Sequence, residues 1–387
     1  MISRFGVRNF KCLRDVSVQL APLTILIGPN DSGKTSVLQA LRYFAQRAAS
    51  TSPSGDQERV RTRGVDDMSF SANGSIDDVP FQYELGYRLA NPSVEVLRAT
   101  DRNGSATGFK REGNIVVHVL SNGGFTTRHP KLSYLSTWDD GAGRQVISAL
   151  KTSEVYRLDP ARLAEASSPA DAAEYLKRDG RNLAGVLDRM FTGVDAGARG
   201  AIEKELGEFL PLLRGVSLKA EDLVIENRIY QGAKKVLQFL LEGPNGALAS
   251  YDAAAVSDGA AIMTAYLTLA FDSDPSILLI EEPENGLHPR LIEGVVQLLR
   301  RLTQSGPGRA PRQVIVTTHS PLVLRYAERE EVRIVTRDSR AGTSVRPISD
   351  HPEILDVLED FGIGDAWFMF GEERLAAGPD TSGEGTT

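Results

Sequence analysis

The sequence predicts an α/β fold in which a parallel sheet covered by helices is joined to an antiparallel β subdomain and a helical insertion. Three observations carry that prediction. An apolar run, Leu23–Ile27, feeds directly into a glycine-rich turn and then into a stretch of helical period. The order strand 277–280, helix Pro289–Leu302, strand 314–318 repeats the βαβ alternation of parallel sheets. Between them lie a segment of alternating apolar residues at 81–121 and one of helical period at about 155–215.

The N-terminal lobe is expected over 1–150. Ile2, Phe5, Val7 and Phe10, then Val16, Val18 and Leu20, then Leu23–Ile27, mark three strands, of which the last is apolar throughout and therefore buried on both faces. The single cysteine, Cys12, cannot form an internal disulfide and is read as a small buried hydrophobe. Residues 50–80 are rich in Ser, Asp and Gly and read as a long, mobile surface excursion. FQYELGYRL, SVEVLRAT and NIVVHVL, separated by turns such as Arg102-Asn103-Gly104, then predict an antiparallel meander.

A helical insertion is expected over 151–220, where AAEYLKRDGRNLAGVLDRM places Leu176, Leu183, Val186, Leu187 and Met190 mostly on one face. The C-terminal lobe, 221–375, opens on a short β-like stretch, LVIENRIYQGAKKVLQFLL. A helix at 260–271 follows, apolar on all sides and therefore buried, and then the βαβ units. The tail, 376–387, has the composition of a disordered segment.

A chain of 387 residues exceeds one ordinary core, so two lobes or a split domain are expected, and 41% apolar with 25% charged residues is the composition of a folded globular protein. No apolar run approaches the roughly 18 residues that span a bilayer, and the N-terminus lacks a signal-peptide core, which predicts a cytoplasmic protein without a membrane partner. Net charge is −7, made of +4 over 1–150 (18 Lys+Arg against 14 Asp+Glu) and −11 over the rest (26 against 37). Arg59, Arg61 and Arg63 form the densest basic cluster, well short of the basic balance of a dedicated nucleic-acid-binding domain, so DNA as a partner stays open.

Gly28-Pro29-Asn30-Asp31-Ser32-Gly33-Lys34-Thr35 matches GxxxxGK[ST] between the apolar strand and a helix at 35–45, the context this phosphate-binding loop requires. Glycines let backbone N–H groups curl around phosphate oxygens, and the helix N-terminus favours their charge. Lys34 reaches the β- and γ-phosphates, Thr35 offers a hydroxyl to Mg²⁺, and Ser36 continues the loop into the helix. Downstream, strand 277–280 ends in Glu281-Glu282-Pro283, two carboxylates at the edge of a parallel sheet. Glu281 suits Mg²⁺, and Glu282 suits a base that orients and deprotonates water. Strand 314–318 ends in Thr317-Thr318-His319-Ser320-Pro321, which puts His319 where it can sense the γ-phosphate. His118, His129, His288 and His351 lack such context and are read as structural. Ser257-Asp258-Gly259, before the buried helix, is an ordinary N-cap when taken alone and a second phosphate site in this company.

At these residues the sequence resembles the ABC-type ATPases, in the SMC/RecF/OLD-like branch. Phe5-Gly6-Val7-Arg8-Asn9-Phe10-Lys11 before GPNDSGKT is similar to the opening strand of that branch. VSDGAAIM resembles the ABC signature, and EEPENGLHP with TTHSP resembles Walker B, D-loop and H-loop. YRLDP (156–160), DGRNLAGVL (179–187) and GIGDAWF (362–368) extend the resemblance over nearly the whole chain. It implies an ABC-type split ATPase head, ATP and Mg²⁺ as cofactors, and a homodimer that sandwiches two ATP molecules. Position 281 is Glu where most ABC proteins carry Asp, although EEPE is usual in the OLD-like branch. Gln82 and Gln145 are the candidates for a Q-loop. In OLD nucleases a Toprim domain with an Asp-x-Asp follows the ATPase, whereas the 68 residues after His319 here contain no Asp-x-Asp. The expectation is therefore an ATPase without its own nuclease, dimerising on ATP and controlling a separately encoded effector in phage defence. A nucleotide-gated DNA-binding scaffold of RecF/SMC type in DNA repair is the alternative.

Overall fold

The computed structural model describes residues 1–49, 57–76, 79–88, 91–100, 106–112, 115–119, 126–128, 135, 141–150, 152–169, 175–193, 197–226, 228–271, 276–306, 310–338, 340, 342–351 and 362–368. Period-two patterning accounts for the first sheet. Strands β1 (Ile2–Phe10) and β2 (Leu13–Gln19) pair antiparallel, and β4 (Asp67–Ile76), β5 (Val79–Arg88), β6 (Asn91–Thr100), β7 (Ala106–Glu112), β8 (Ile115–Val119) and β9 (Thr126–Arg128) continue in the order β2-β1-β4-β5-β6-β7-β8-β9. The expected meander is present, and it begins earlier than the composition suggested. Residues 67–76, inside the expected surface excursion, form β4 against β1 with Met68, Phe70 and Ala72 buried. The intervening Ser69 and Ser71 made the segment look polar, yet alternation is what a half-buried strand needs. Residues 50–56 and 77–78 of that excursion, His129, and the tail at 376–387 lie outside the described residues.

The second sheet has the order β10-β14-β15-β3-β16-β17, from β3 (Leu23–Ile27), β10 (Thr152–Tyr156), β14 (Ile277–Glu281), β15 (Gln313–Thr317), β16 (Val332–Asp338) and β17 (Gly342–Pro347). All neighbours in it are parallel except β16 and β17. Its apolar strands are explained by two cores, one on each face. Leu26, Leu279 and Ile315 face helix α1 (Lys34–Ala49), which lies between the two sheets and buries Val37, Leu38, Leu41 and Phe44. Phe5, Phe44 and Phe70 cluster there with ring centroids 5.7–6.5 Å apart, Phe70 stacked on both of the others and Phe5 tilted by 50° against Phe44. Ile25, Ile27, Leu278, Ile280, Val314 and Val316 face the other way, onto α5 (Leu183–Thr192), α6 (Gly197–Phe209), α7 (Asp258–Phe271) and α8 (Pro289–Leu302). Each fully buried Leu, Ile or Val contributes ~1.5–3 kcal/mol of transfer free energy, so both faces hold the sheet. Short helices α2 (Gln57–Val60), α3 (Gly141–Leu150), α4 (Pro160–Leu163) and α9 (Pro321–Arg325) connect these layers.

The region expected to be a helical insertion opens on a strand, since β10 is the edge of the parallel sheet beside β14. The helix behind the periodic stretch, α5, which follows the short α4, is shorter than the pattern implied. It begins at Leu183, with Leu176 buried from a non-helical turn and Gly180 at φ +81° interrupting the run. The short β-like stretch proves to be a long hairpin, β11 (Leu213–Ile225) and β12 (Arg228–Glu242), extended by β13 (Leu248–Asp252) into a third sheet. Among the described residues, no helix is long and apolar enough to cross a membrane.

Candidate nucleotide-binding site

The turn that links β3 to α1 is held in a shape only glycine permits at two points. Gly28 has φ +149° and a Cβ there would lie 2.0 Å from the Val335 carbonyl oxygen, while at Gly33 (φ +109°) it would lie 2.8 Å from Thr343 Oγ1. Asp31 is left-handed as well, at φ +60°. The β16–β17 hairpin clamps the loop from outside. Arg337 Nη1 donates to the Asp31 carbonyl at 3.1 Å, and Thr343 Oγ1 to the Ser32 carbonyl at 2.9 Å.

Within the loop Pro29 is half-buried, and Asn30 and Thr35 are exposed. Ser36 is half-buried and accepts a bond from Cys12 Sγ at 3.3 Å, so Cys12 is a half-buried partner of the loop and not the buried hydrophobe expected. Lys34 is buried and folds back, its Nζ donating to the carbonyls of Gly28 (2.7 Å) and Pro29 (2.8 Å). Ser32 Oγ is buried and has no hydrogen-bond partner among the described residues.

Sheet register carries the downstream motifs to the same edge. Thr317 pairs with Leu26 and Glu281 with Thr317, Glu282 N donates to the Thr317 carbonyl (2.8 Å), and Thr318 N to the Leu26 carbonyl (3.1 Å). The ends of β3, β15 and β14 therefore bring Gly28, Thr318 with His319, and Glu281 with Glu282 to one carboxyl-end edge, where α/β sheets place their ligands. Glu281 is 3% exposed. Its Oε1 has no partner among the described residues, and its Oε2 accepts from Arg178 Nη2 at 2.9 Å. Glu282 sits at φ +47°, a left-handed backbone that costs a non-glycine residue about 1–3 kcal/mol, and its Oε2 accepts from Arg157 Nη2 at 2.9 Å.

Three functional-site residues escaped the sequence reading. Arg157 follows the last residue of β10, the strand beside β14, and its backbone N–H donates to the Arg178 carbonyl at 2.9 Å, which sets the two arginines side by side. The signal was there in YRLDP and DGRN, without a role attached. Glu284 is the third. Its Oε1 accepts from the Thr318 hydroxyl (2.7 Å) and the His319 N–H (3.4 Å), and burial holds its carboxyl above the usual 4.5, partly opposed by the Thr318 bond. Neither glutamine candidate lies at this edge. Gln82 is on β5 of the antiparallel sheet, bonded to Glu84 and Arg98, and Gln145 is on α3.

Ser257 and Asp258 are exposed at the start of α7, and Gly259 is buried so closely that a Cβ would lie 2.7 Å from Leu291 Cδ1. The same helix is tied to the carboxylate turn, with the Tyr266 hydroxyl 3.3 Å from the Pro283 carbonyl and its phenol held above the ordinary range by burial. His288 caps α8 through a bond from Arg290 N.

A glycine-built loop at a helix N-terminus, a buried lysine and two buried oxygen atoms without partners among the described residues, Ser32 Oγ and Glu281 Oε1, are a donor set that fits a phosphate with a hard divalent cation. The chain is similar to several known proteins. The OLD nuclease of Thermus scotoductus (strain ATCC 700910 / SA-01) is 24% identical over 394 residues, covering 94% of this chain and 68% of that protein. The Old nuclease of Escherichia phage P2 is 21% identical over 387 residues, covering 92% of this chain and 62% of that protein, so the chain spans about two thirds of the length of these relatives. An SMC head domain from Thermotoga maritima aligns over 89% of this chain and 98% of that one, at 12% identity and a TM-score of 0.43. A family model described as AAA domain, putative AbiEii toxin, Type IV TA system, matches residues 23–325. The chain therefore belongs to this AAA-domain family.

Proposed function

We propose that the chain binds ATP with Mg²⁺ in the cradle from Gly28 to Ser36, hydrolyses it, and dimerises around two ATP molecules to control an effector encoded separately, in bacterial phage defence. The observation that carries the reading is the meeting of Lys34, Glu281 and Glu282 at one sheet edge from segments about 250 residues apart, with Glu281 Oε1 buried and unpartnered among the described residues. In this reading Lys34 leaves the Gly28 and Pro29 carbonyls for the β- and γ-phosphates. Thr35 and Glu281 would hold Mg²⁺, whose charge offsets that of the phosphates. Glu282 orients the attacking water and takes its proton, and His319 senses the γ-phosphate. Ser257, Asp258 and Gly259, exposed or at the start of an otherwise buried helix, close on the nucleotide held by a second copy. Both relatives are named nucleases, which supports an effector acting on nucleic acid.

The test is titration of wild type and Lys34→Ala with a fluorescent ATP analogue. Saturable binding by wild type and its loss in Lys34→Ala are expected, because the cradle would face an anion without its countercharge. Equal affinity in the two proteins would refute the assignment.

A further inference from the structure

We propose that Arg157 and Arg178 form a guanidinium latch on the two Walker B carboxylates, and that Mg²⁺ arriving with ATP must displace it. The inference rests on the proposed ATP site and adds positioning residues to it. Both carboxylates that the chemistry needs are already occupied from within the chain, Glu281 by Arg178 and Glu282 by Arg157, each through one Nη2–Oε2 contact of 2.9 Å. The two arginines act together because their backbones are joined, Arg157 N to Arg178 O at 2.9 Å and Asp159 N to Asp179 O at 3.2 Å.

The arrangement has the asymmetry of a latch. Glu281 is 3% exposed, so its charge needs a cation, whereas the Arg178 side chain is 51% exposed and the Arg157 side chain 52%, so both can leave toward solvent without unpacking a core. Arg178 also lines a cavity of about 220 Å³, which leaves the released guanidinium space, although the carboxylate in its wall, Glu154, is already paired with Arg42 at 2.8 Å. Each Glu retains one oxygen outside its arginine contact, and for Glu281 that atom, Oε1, is the buried one without a partner among the described residues. A cation approaching Glu281 at Oε1 therefore meets a carboxylate already half neutralised, and the charge of Arg178 at Oε2 opposes its binding until that arginine leaves. Release of Arg157 then leaves Glu282 with water instead of a cation, the state a general base requires.

The experiment measures affinity for a fluorescent ATP analogue with Mg²⁺ and with EDTA, in wild type, in the pair Arg157→Ala/Arg178→Ala and in the pair Arg157→Lys/Arg178→Lys. Removing the competitor should tighten binding in Mg²⁺ by about three- to ten-fold, the range expected for two partly exposed ion pairs. The ratio of affinity with Mg²⁺ to affinity with EDTA should rise by the same factor. The lysine pair should behave as wild type, since each arginine makes one contact that an ammonium can replace. It keeps the test informative if the alanine pair, with Glu281 left unpaired, fails to fold. Weaker or unchanged binding of the alanine pair in Mg²⁺, a higher ratio that comes only from weaker binding in EDTA, or a lysine pair that tightens like the alanine pair would each overturn the latch. Wild type that binds no analogue in either condition would instead refute the ATP site itself, while wild type that binds beside indifferent variants refutes the latch alone.

Discussion

The Thr318 hydroxyl donates to Glu284 Oε1 at 2.7 Å, which ties the end of β15 to the turn that follows β14. This bond and the His319 N–H contact at 3.4 Å tie the histidine edge of the site to its carboxylate edge.

Burial raises the carboxyl of Glu284 above its ordinary value of 4.5. A group raised in the folded state favours folding fully below its unfolded pKa and loses that contribution as pH rises through the folded one. Above the unfolded pKa the folded state therefore carries a cost, in losing or in keeping that proton, which Glu284→Gln removes while keeping an acceptor for Thr318. The variant should melt at a higher temperature than wild type at pH 8, and the difference should close as pH falls toward 4.5. A melting difference that grows on acidification would contradict this account.

Glu282→Gln should bind ATP yet hydrolyse it about 10²–10⁴-fold more slowly, the usual cost of losing a general base. It should also accumulate as a nucleotide-bound dimer in size-exclusion chromatography with ATP and Mg²⁺. If turnover stayed within a few-fold of wild type, another group would be the base.

Gly28→Ala should disturb the site through the backbone alone. The new Cβ would fall 2.0 Å from the Val335 carbonyl, at a φ of +149°, so β16 and the loop must separate. A loss of about 2–4 kcal/mol in denaturant unfolding, with loss of nucleotide binding, is expected. Gly64→Ala is the control, because a Cβ there meets nothing within 4 Å and only the left-handed φ of +80° is strained, for about 1–2 kcal/mol.

Mixing tests the composite site. Ser257 is exposed, so Ser257→Arg should fold and bind ATP, yet it should fail to dimerise because a bulky side chain would enter the partner's phosphate site. Lys34→Ala and Ser257→Arg proteins should each be inactive. A mixed dimer pairs one damaged site with one built from an intact loop and an intact signature, so partial ATP hydrolysis should return on mixing. Two mixed variants that stay as inactive as each alone would argue against shared sites.

By itself the sequence determined what is local: GPNDSGKT between an apolar strand and an amphipathic helix, EE after a second apolar strand, TTHSP after a third, and the meander of the first lobe. These are legible because each is set by neighbours a few residues away, through strand pleat, helix period and the left-handed turns that glycine allows. Pattern reading stumbled where local and tertiary signals part. Met68, Phe70 and Ala72 form a strand because β1 offers a partner, in a segment whose serines read as surface. Leu176 is buried by packing outside any helix, although its spacing joined it to Leu183. Only the tertiary structure decided which side chains meet the carboxylates. Arg157 and Glu282 are 125 residues apart, and Arg178 and Glu281 are 103 apart. Such ion pairs leave no periodic trace in the chain, because the register of β10 against β14 and the turn that seats Arg178 arise only once the sheet and both of its cores have assembled.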